Sequence, residues 1–135
     1  MSDETFKPWG KYEDIFRSDE LVLKKITVDP KQRLSLQNHL KRSEFWVVTK
    51  GECLCETGVG EFRDSPRDMR RLRVGECIVV ARGEVHRLIN DTPRECQVVE
   101  LQWGDCKEGD IHRLEDDYER GSDDYLPFDT GRRDI

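Results

Sequence analysis

The feature that most restricts the fold of this chain is a series of short strand-like segments separated by turn residues. They contain β-branched, aromatic and alternating apolar residues, and no stretch of the sequence predicts a long helix. We count about nine of them, which predicts an all-β barrel or a double-sheet jelly roll. The segments cover residues 15–16, 21–28, 33–39, 45–49, 52–57, 72–74, 77–80, 86–89 and 97–103.

Three other stretches lack this pattern. Residues 58–71 are polar and rich in charge, Gly and Pro, which predicts a loop or a ragged hairpin. The Pro and Gly on either side of Trp9 predict an irregular N-terminal arm, which packs this aromatic side chain on its own barrel or on a partner subunit. We therefore expect a barrel with its arm over residues 1–120 and a polar C-terminal tail over residues 121–135.

Length and composition restrict the class of protein. A chain of 135 residues forms one domain. Its formal charge of -6 argues against nucleic acid or an anionic membrane as the main partner. No apolar run approaches the roughly 20 residues of a membrane span, and the first residues do not resemble a secretory signal. We expect a cytoplasmic protein.

Five cysteines occur in the chain, at positions 53, 55, 77, 96 and 106. Their number is odd and no CxxC pair is present, which argues against a disulfide framework. Cys53 and Cys55 lie two apart, so a strand would place both thiols on one face, where they could bind zinc. We favour the alternative that the cysteines act as small buried apolar residues in strands.

A possible metal site is spread over two segments. Gln37 and His39 lie two apart, so on a strand both side chains leave the same face. Glu44 can return a carboxylate to the same point from the next strand, because residues 38–43 are polar enough to form the turn. His86, in a second strand-like segment, can supply a fourth ligand. Such a set suits zinc, iron, manganese, cobalt or nickel.

These two segments resemble the paired motifs of the cupin superfamily. The first motif reads His-x-His, three or four residues, Glu, six residues, Gly, and here Gln37 takes the place of its first His. The second reads Gly, five residues, Pro-x-Gly, two residues, His, three residues, Asn, and only Ala81 departs from it by replacing the Pro. The resemblance implies a single cupin domain, a double-stranded β-helix or jelly-roll barrel.

A narrower resemblance is to the C-terminal cupin domain of type II mannose-6-phosphate isomerases. That domain usually follows a mannose-1-phosphate guanylyltransferase domain, and no nucleotide-binding glycine motif occurs here. The resemblance rests on these blocks: Trp9-Gly10-Lys11-Tyr12-Glu13, Leu34-Ser35-Leu36-Gln37-x-His39, Arg42-Ser43-Glu44-x-Trp46-Val47-Val48, His86-Arg87-Leu88-x-Asn90, Glu100-x-Gln102 and Asp110-Ile111-x-Arg113 with Asp116-x-Tyr118-x-Arg120.

The narrower resemblance implies interconversion of mannose 6-phosphate and fructose 6-phosphate through an enediol. It implies a divalent metal, zinc first and cobalt, manganese, nickel or iron as alternatives. The ligands that it implies are Gln37, His39, Glu44 and His86. The partner would be a small sugar phosphate, and we expect a homodimer that forms through an edge strand or the N-terminal arm.

Candidate residues for catalysis and substrate binding follow from position and chemistry. Glu100 is the candidate base, although a structural carboxylate is an equal alternative, and His112 is a weaker candidate. Cationic side chains are needed for the phosphate. The catalytic candidates are therefore Glu100, Arg113 and Lys24, and the substrate-binding candidates are Ser35, Lys24, Gln102, Arg113 and Arg120.

Two other functions stay open at this stage. The chain departs from common isomerase residues at Lys41 and Phe45, where His is frequent, and this favours a metal- or sugar-binding cupin without turnover. An iron- or nickel-dependent oxygenase is a second alternative, because cupin sites with open coordination positions can bind oxygen. A further departure, Lys31 in place of a common Gly, concerns a turn and not the chemistry.

Overall fold

The structure is a computed structural model, and it describes residues 3–60, 65–107 and 109–117. All regular elements of this part of the chain are β-strands, so it contains no helix that could cross a membrane. The eleven strands are β1 (Glu4–Lys7), β2 (Gly10–Arg17), β3 (Leu21–Val28), β4 (Leu36–Asn38), β5 (Arg42–Lys50), β6 (Glu52–Gly58), β7 (Asp68–Arg73), β8 (Cys77–Val80), β9 (Val85–Ile89), β10 (Cys96–Gly104) and β11 (His112–Glu115).

The strands form two antiparallel sheets that face each other. The first contains six strands in the order β1-β2-β3-β10-β5-β8, and the second contains five in the order β11-β4-β9-β6-β7. Gly51 connects β5 in the first sheet to β6 in the second. Its φ of +72° suits glycine, and a Cβ there would lie 2.8 Å from the carbonyl oxygen of Glu95. The predicted all-β, jelly-roll architecture is confirmed.

The inward face of the central strands changes from apolar to polar along its length. The inward residues of β10 are, in order, Cys96, Val98, Glu100 and Gln102. Those of β5 lie opposite, where Val48, Trp46 and Glu44 pair with Val98, Glu100 and Gln102. The register of the two strands places their inward apolar residues opposite each other at one end of the barrel and their inward polar residues together toward the other end.

The apolar end is the hydrophobic core. It takes residues from both sheets: Trp9, Ile26, Val28, Trp46, Val48, Cys53, Cys55, Leu72, Val80, Leu88, Cys96 and Val98. Trp9 is 5% exposed, so this side chain packs on its own barrel. The prediction that the cysteines are small buried residues is confirmed for four of them, but it is wrong for Cys77, which is exposed.

Three edge strands differ from the sequence prediction. The prediction of an irregular N-terminal arm is wrong, because β1 pairs with β2 in a hairpin closed by Pro8 and Trp9. Of the two alternatives for residues 58–71, the ragged hairpin is confirmed and the loop is wrong, because β7 begins at Asp68 and pairs with β6. The strand β11 was not predicted. Most side chains of β1, β7 and β11 are at least partly exposed, so their sequences lack the apolar alternation that marks a strand.

The predicted strand over 33–39 is shorter in the structure, which has β4 at Leu36–Asn38. The backbone of Arg33 forms an isolated β-bridge with that of Ile89, and this residue is not part of a strand. The predicted boundary between barrel and tail at residue 120 lies outside the described residues, as does Arg120.

Candidate functional site

Three buried side chains meet at the polar end of the barrel. His39 lies just after β4, Glu44 lies on β5 and His86 lies on β9, and one possible ligand atom from each lies within 4.8 Å of the other two. Glu44 stands between the imidazoles: its Oε2 is 3.1 Å from His39 Nε2 and its Oε1 is 3.4 Å from His86 Nε2. We call these three residues the triad.

Both imidazoles are oriented by the nitrogen that faces away from Glu44. His39 Nδ1 lies 2.6 Å from the carbonyl oxygen of Asp110, and His86 Nδ1 lies 2.9 Å from that of Glu84. A carbonyl oxygen only accepts hydrogen bonds, so each Nδ1 donates. In the neutral imidazoles each Nε2 therefore carries the lone pair and points it toward the carboxylate. This is the arrangement by which proteins prepare histidines for metal coordination.

The charges of the triad also suit a cation. Burial opposes ionisation of Glu44, yet the neighbouring imidazoles hold the pKa of this carboxyl well below its usual value. Burial lowers the pKa of His39. Burial also opposes ionisation of His86, but Glu44 raises the pKa of this imidazole, so a metal ion would take the place of a proton there. His86 Nε2 is buried and has no hydrogen-bond partner among the described residues, although a carboxylate oxygen lies 3.4 Å away. An ion bound to both atoms would satisfy them, so the residues present fit a divalent metal.

Gln37, the fourth expected ligand, lies next to the triad but is engaged elsewhere. Its backbone pairs with that of His86 across β4 and β9. Its Oε1 accepts a hydrogen bond from Ser35 Oγ at 3.1 Å. Coordination by Gln37 therefore stays a prediction.

A cavity of about 250 Å³ lies beside the triad. The cavity wall includes five of the residues predicted for catalysis or substrate binding: Lys24, Ser35, Glu100, Gln102 and Arg113. Arg120 is outside the described part of the chain, and the weaker candidate His112 does not line the cavity. The triad residues do not line the cavity. Arg42 connects the two, because it lines the cavity and its guanidinium contacts both His39 and Glu44.

The cavity concentrates positive charge in an acidic protein. Among the described residues, five cationic side chains line it, against the two carboxylates of Glu100 and Asp110. The whole chain carries a formal charge of -6. A concave surface with this balance attracts small anions. The five cations are Lys7, Arg17, Lys24, Arg42 and Arg113.

Glu100 is the buried carboxyl of the cavity wall. Its Oε2 accepts a hydrogen bond from Gln102 Nε2 at 2.7 Å, and its backbone pairs with that of Lys24 on β3. Burial, followed by the charge of Glu44, raises the pKa of Glu100 to about 7. Asp110 is different, because its carboxylate accepts the backbone N–H groups of Leu40 and Lys41 at 3.0 and 2.9 Å. This places Asp110 in a supporting role.

Two residues of the site were missed as functional candidates in the sequence. Arg42 lies two positions before Glu44 on the same strand, so the alternation of β5 contained a signal for it. Asp110 contributes to the site through its backbone carbonyl and through a turn, and neither leaves a signal in the sequence. His112 lines a separate surface groove with Leu40 and Lys41, outside the cavity.

Comparison with solved structures gives the same architecture. The capsular polysaccharide assembling protein CapF from Staphylococcus aureus aligns with a TM-score of 0.71 at 12% identity, over 82% of this chain and 33% of that one. KdgF from a Halomonas species aligns with a TM-score of 0.63 at 16% identity, over 76% of this chain and 87% of that one. At these identities the likeness shows the cupin fold and nothing further.

Comparison by sequence gives the family. The chain is 33% identical over 131 residues to the alginate biosynthesis protein AlgA of Pseudomonas aeruginosa, which covers 96% of this chain and 26% of that protein. It is 34% identical over 121 residues to the mannose-1-phosphate guanylyltransferase ManC of Salmonella typhimurium. This match covers 89% of this chain and 24% of that protein. The chain thus spans about a quarter of the length of these relatives. Since the family described as mannose-6-phosphate isomerase C-terminal matches residues 1–116, this chain belongs to that family of cupin domains.

Proposed function

We propose that the chain is a metal-dependent isomerase that interconverts mannose 6-phosphate and fructose 6-phosphate. The observation that carries the proposal is a buried two-histidine, one-carboxylate triad next to a cationic cavity that contains one buried carboxyl group. The family and the printed names of relatives that act on mannose 1-phosphate support a mannose phosphate as substrate.

The phosphate of the substrate would bind to the cationic side of the cavity. Lys24 and Arg113 both line it, with side chains 17% and 12% exposed. A guanidinium binds a phosphate through paired N–H groups, and partial burial strengthens the interaction because it reduces screening by water. Gln102 Oε1 is buried and has no hydrogen-bond partner in the described part of the chain, so a sugar hydroxyl can donate to it.

Glu100 would move the proton. Isomerisation takes a proton from C2 of the open-chain aldose and returns it to C1, so one base must reach both carbons. Of the two acidic side chains that the described residues place on the cavity wall, Asp110 is occupied by backbone N–H groups, and we therefore propose Glu100 as the base. The hydrogen bond from Gln102 holds the Glu100 carboxyl in place.

A divalent ion held by His39, Glu44 and His86 would supply positive charge that stabilises the negative charge developing on the substrate oxygens. Two imidazoles and a carboxylate suit zinc, and cobalt, manganese, nickel or iron accept the same donors. We propose Gln37 as a fourth, neutral ligand. Lys41 and Phe45, where the sequence departs from common isomerase residues, do not line the cavity, so they do not argue against turnover.

The test is an enzyme-linked assay of fructose 6-phosphate formed from mannose 6-phosphate. We expect activity that is lost on dialysis against a chelator and returns with Zn²⁺ or Co²⁺. His86→Ala should abolish the activity. His112→Ala is the matched control, because it removes the one histidine outside the triad and should retain activity.

Activity that survives both chelation and the loss of His86 would reject the proposal. Metal-dependent binding of mannose 6-phosphate without any turnover would instead identify the chain as a sugar-phosphate-binding cupin.

A further inference from the structure

Arg42 contacts two of the atoms that a metal ion would use. Its Nη2 lies 3.0 Å from His39 Nε2, and its Nε donates to Glu44 Oε2 at 3.1 Å. Its side chain is 14% exposed and lines the cavity. The guanidinium is therefore a positive charge placed between the triad and the substrate space.

The contact with His39 and coordination of a metal exclude each other. His39 donates from Nδ1 to the carbonyl of Asp110, so Nε2 has a single lone pair. That lone pair accepts either an N–H group of Arg42 or a bond to an ion. The positive charge of the guanidinium would also repel a divalent cation at this distance, and burial would make the repulsion stronger. An ion that binds the triad must therefore displace Arg42 from His39.

The cavity is the space into which Arg42 can turn. Arg42 is the first residue of β5, so its side chain extends from the end of a strand, and its backbone pairs with Gly104. The side chain already forms part of the wall of the 250 Å³ cavity, together with Lys24 and Arg113. A released guanidinium would join Lys24 and Arg113 in the region proposed to bind the phosphate.

We propose that a metal ion displaces Arg42 from His39 and Glu44, and that the released guanidinium binds the phosphate group of the substrate in the cavity. This inference rests on the proposed metal centre. Metal and anion then bind cooperatively, because each favours the same position of Arg42. By linkage, the anion increases the affinity for the metal by the same factor as the metal increases the affinity for the anion.

Calorimetric titration with Zn²⁺, in the absence and presence of sulfate, tests the inference without any turnover. Sulfate is a tetrahedral dianion like phosphate. We compare wild type with Arg42→Met, and with Arg17→Met as the matched control. Arg17 also lines the cavity, but its Nε pairs with Asp14 at 2.9 Å, so this variant removes a cavity charge without a contact to the triad.

Without sulfate, Arg42→Met should bind Zn²⁺ more tightly than wild type, on the order of tenfold, because the competing cation is gone. Sulfate should increase the Zn²⁺ affinity of wild type and of Arg17→Met by a similar factor, and it should have no such effect on Arg42→Met. Arg42→Lys serves if the Met variant fails to fold. Lys keeps the charge but cannot make both contacts, so Zn²⁺ should bind more tightly while the sulfate effect remains.

Equal or weaker Zn²⁺ binding in Arg42→Met would overturn the inference, because Arg42 would then only support Glu44. A sulfate effect that persists in Arg42→Met would also overturn it, since the charge of the metal itself would account for the cooperativity. Either result leaves the proposed isomerase intact. Wild type that binds no Zn²⁺ and shows no metal-dependent activity would reject both.

Discussion

The Nδ1 atoms of His39 and His86 both donate to backbone carbonyl groups, and the carboxyl group of Glu100 is held by Gln102. At the scale of single residues, each functional side chain is thus oriented by a partner, and in both histidines the orienting atom is not the one that would bind the ion. His39 and His86 present Nε2 to Glu44, and Glu100 presents its carboxyl group to the cavity. Orientation of this kind reduces the reorganisation that binding and catalysis require.

Replacement of the proposed base tests its role. Glu100→Gln keeps the size of the side chain and removes its ability to accept a proton. We expect kcat for mannose 6-phosphate to fall by roughly 10²- to 10⁴-fold, with little change in KM or in metal content. Glu95→Gln, which alters an exposed carboxylate near the start of β10, is the control. Wild-type kcat in Glu100→Gln would remove this residue from the mechanism.

Lys31 tests a turn. It is the one residue other than glycine with positive φ in the described part of the chain, at 65°, and its Nζ donates to the carbonyl of Asp91. In the folded state, the left-handed conformation destabilises a non-glycine residue by about 1–2 kcal/mol. A glycine avoids this strain, but it gives the unfolded chain more conformational freedom, which lowers the free energy of unfolding by about 0.4–1 kcal/mol. Lys31→Gly should therefore raise the free energy of unfolding by roughly 0.5 kcal/mol.

Urea denaturation measures this difference. Lys31→Ala is the control, since it loses the same hydrogen bond and keeps the unfavourable φ, and it should not stabilise the fold. Stabilisation by Ala as large as that by Gly would contradict the explanation from φ.

At the scale of elements, the edge strand β11 holds one side of the site. Asp110, just before it, orients His39, and Arg113 on the strand lines the cavity. The strand is fixed to the barrel by the buried Arg87, whose Nη1 lies 3.0 Å from Glu115 Oε1. Leu114 is the side chain of β11 that packs in an apolar cluster, so apolar contacts alone hold this strand weakly and the ion pair adds a second attachment.

Removal of this link should destabilise the protein and loosen the site. In Glu115→Gln the buried guanidinium of Arg87 loses its nearest counter-charge, so we expect the free energy of unfolding to fall by about 2 kcal/mol. We also expect faster amide hydrogen exchange across β11. Arg71→Met is the control, because it removes a more exposed guanidinium that pairs with Asp91 and Glu52, and it should cost less. Equal losses in the two variants would contradict a special role for Arg87.

The sequence predicts the central strands and the apolar edge strand β8 well, and the polar edge strands β1, β7 and β11 poorly, for one physical reason. A strand buried on one face must alternate apolar and polar residues, and β10, with Val98 inside and Gln97 outside, carries that pattern. The edge strands bury few side chains, so a polar sequence such as that of β7 is compatible with them. For the site, ligand spacing predicts His39, Glu44 and His86, but the contact of Arg42 depends on a rotamer that spacing does not determine.

At the scale of the whole molecule, charge is distributed so that the acidic exterior surrounds a cationic cavity. A cavity with this charge would attract an anionic ligand, in line with the proposed sugar phosphate. The homodimer and the cytoplasmic location expected from the sequence stay predictions. So does the activity of any longer protein to which this domain belongs, since the chain covers about a quarter of the relatives that it matches.

Metal binding should stabilise the entire barrel, because the three ligands come from both sheets and meet only in the folded state. At a free Zn²⁺ concentration of about 100 times Kd, the expected gain is about 2.7 kcal/mol, or roughly 10 °C in Tm. Differential scanning calorimetry measures it. Glu44→Gln keeps the shape of the ligand but removes its charge, and should show a much smaller rise. A Tm that does not respond to Zn²⁺ in wild type would contradict a metal site at the triad.

X-ray absorption spectroscopy of protein loaded with one equivalent of Zn²⁺ identifies the atoms bound to the ion and so examines the metal centre itself. We predict two imidazole nitrogens at about 2.0–2.1 Å with oxygen ligands and no sulfur. We also expect the imidazole contribution to fall in His86→Ala. A sulfur shell at about 2.3 Å, as expected for an ion held by Cys53 and Cys55, or an ion without imidazole ligands, would contradict this prediction.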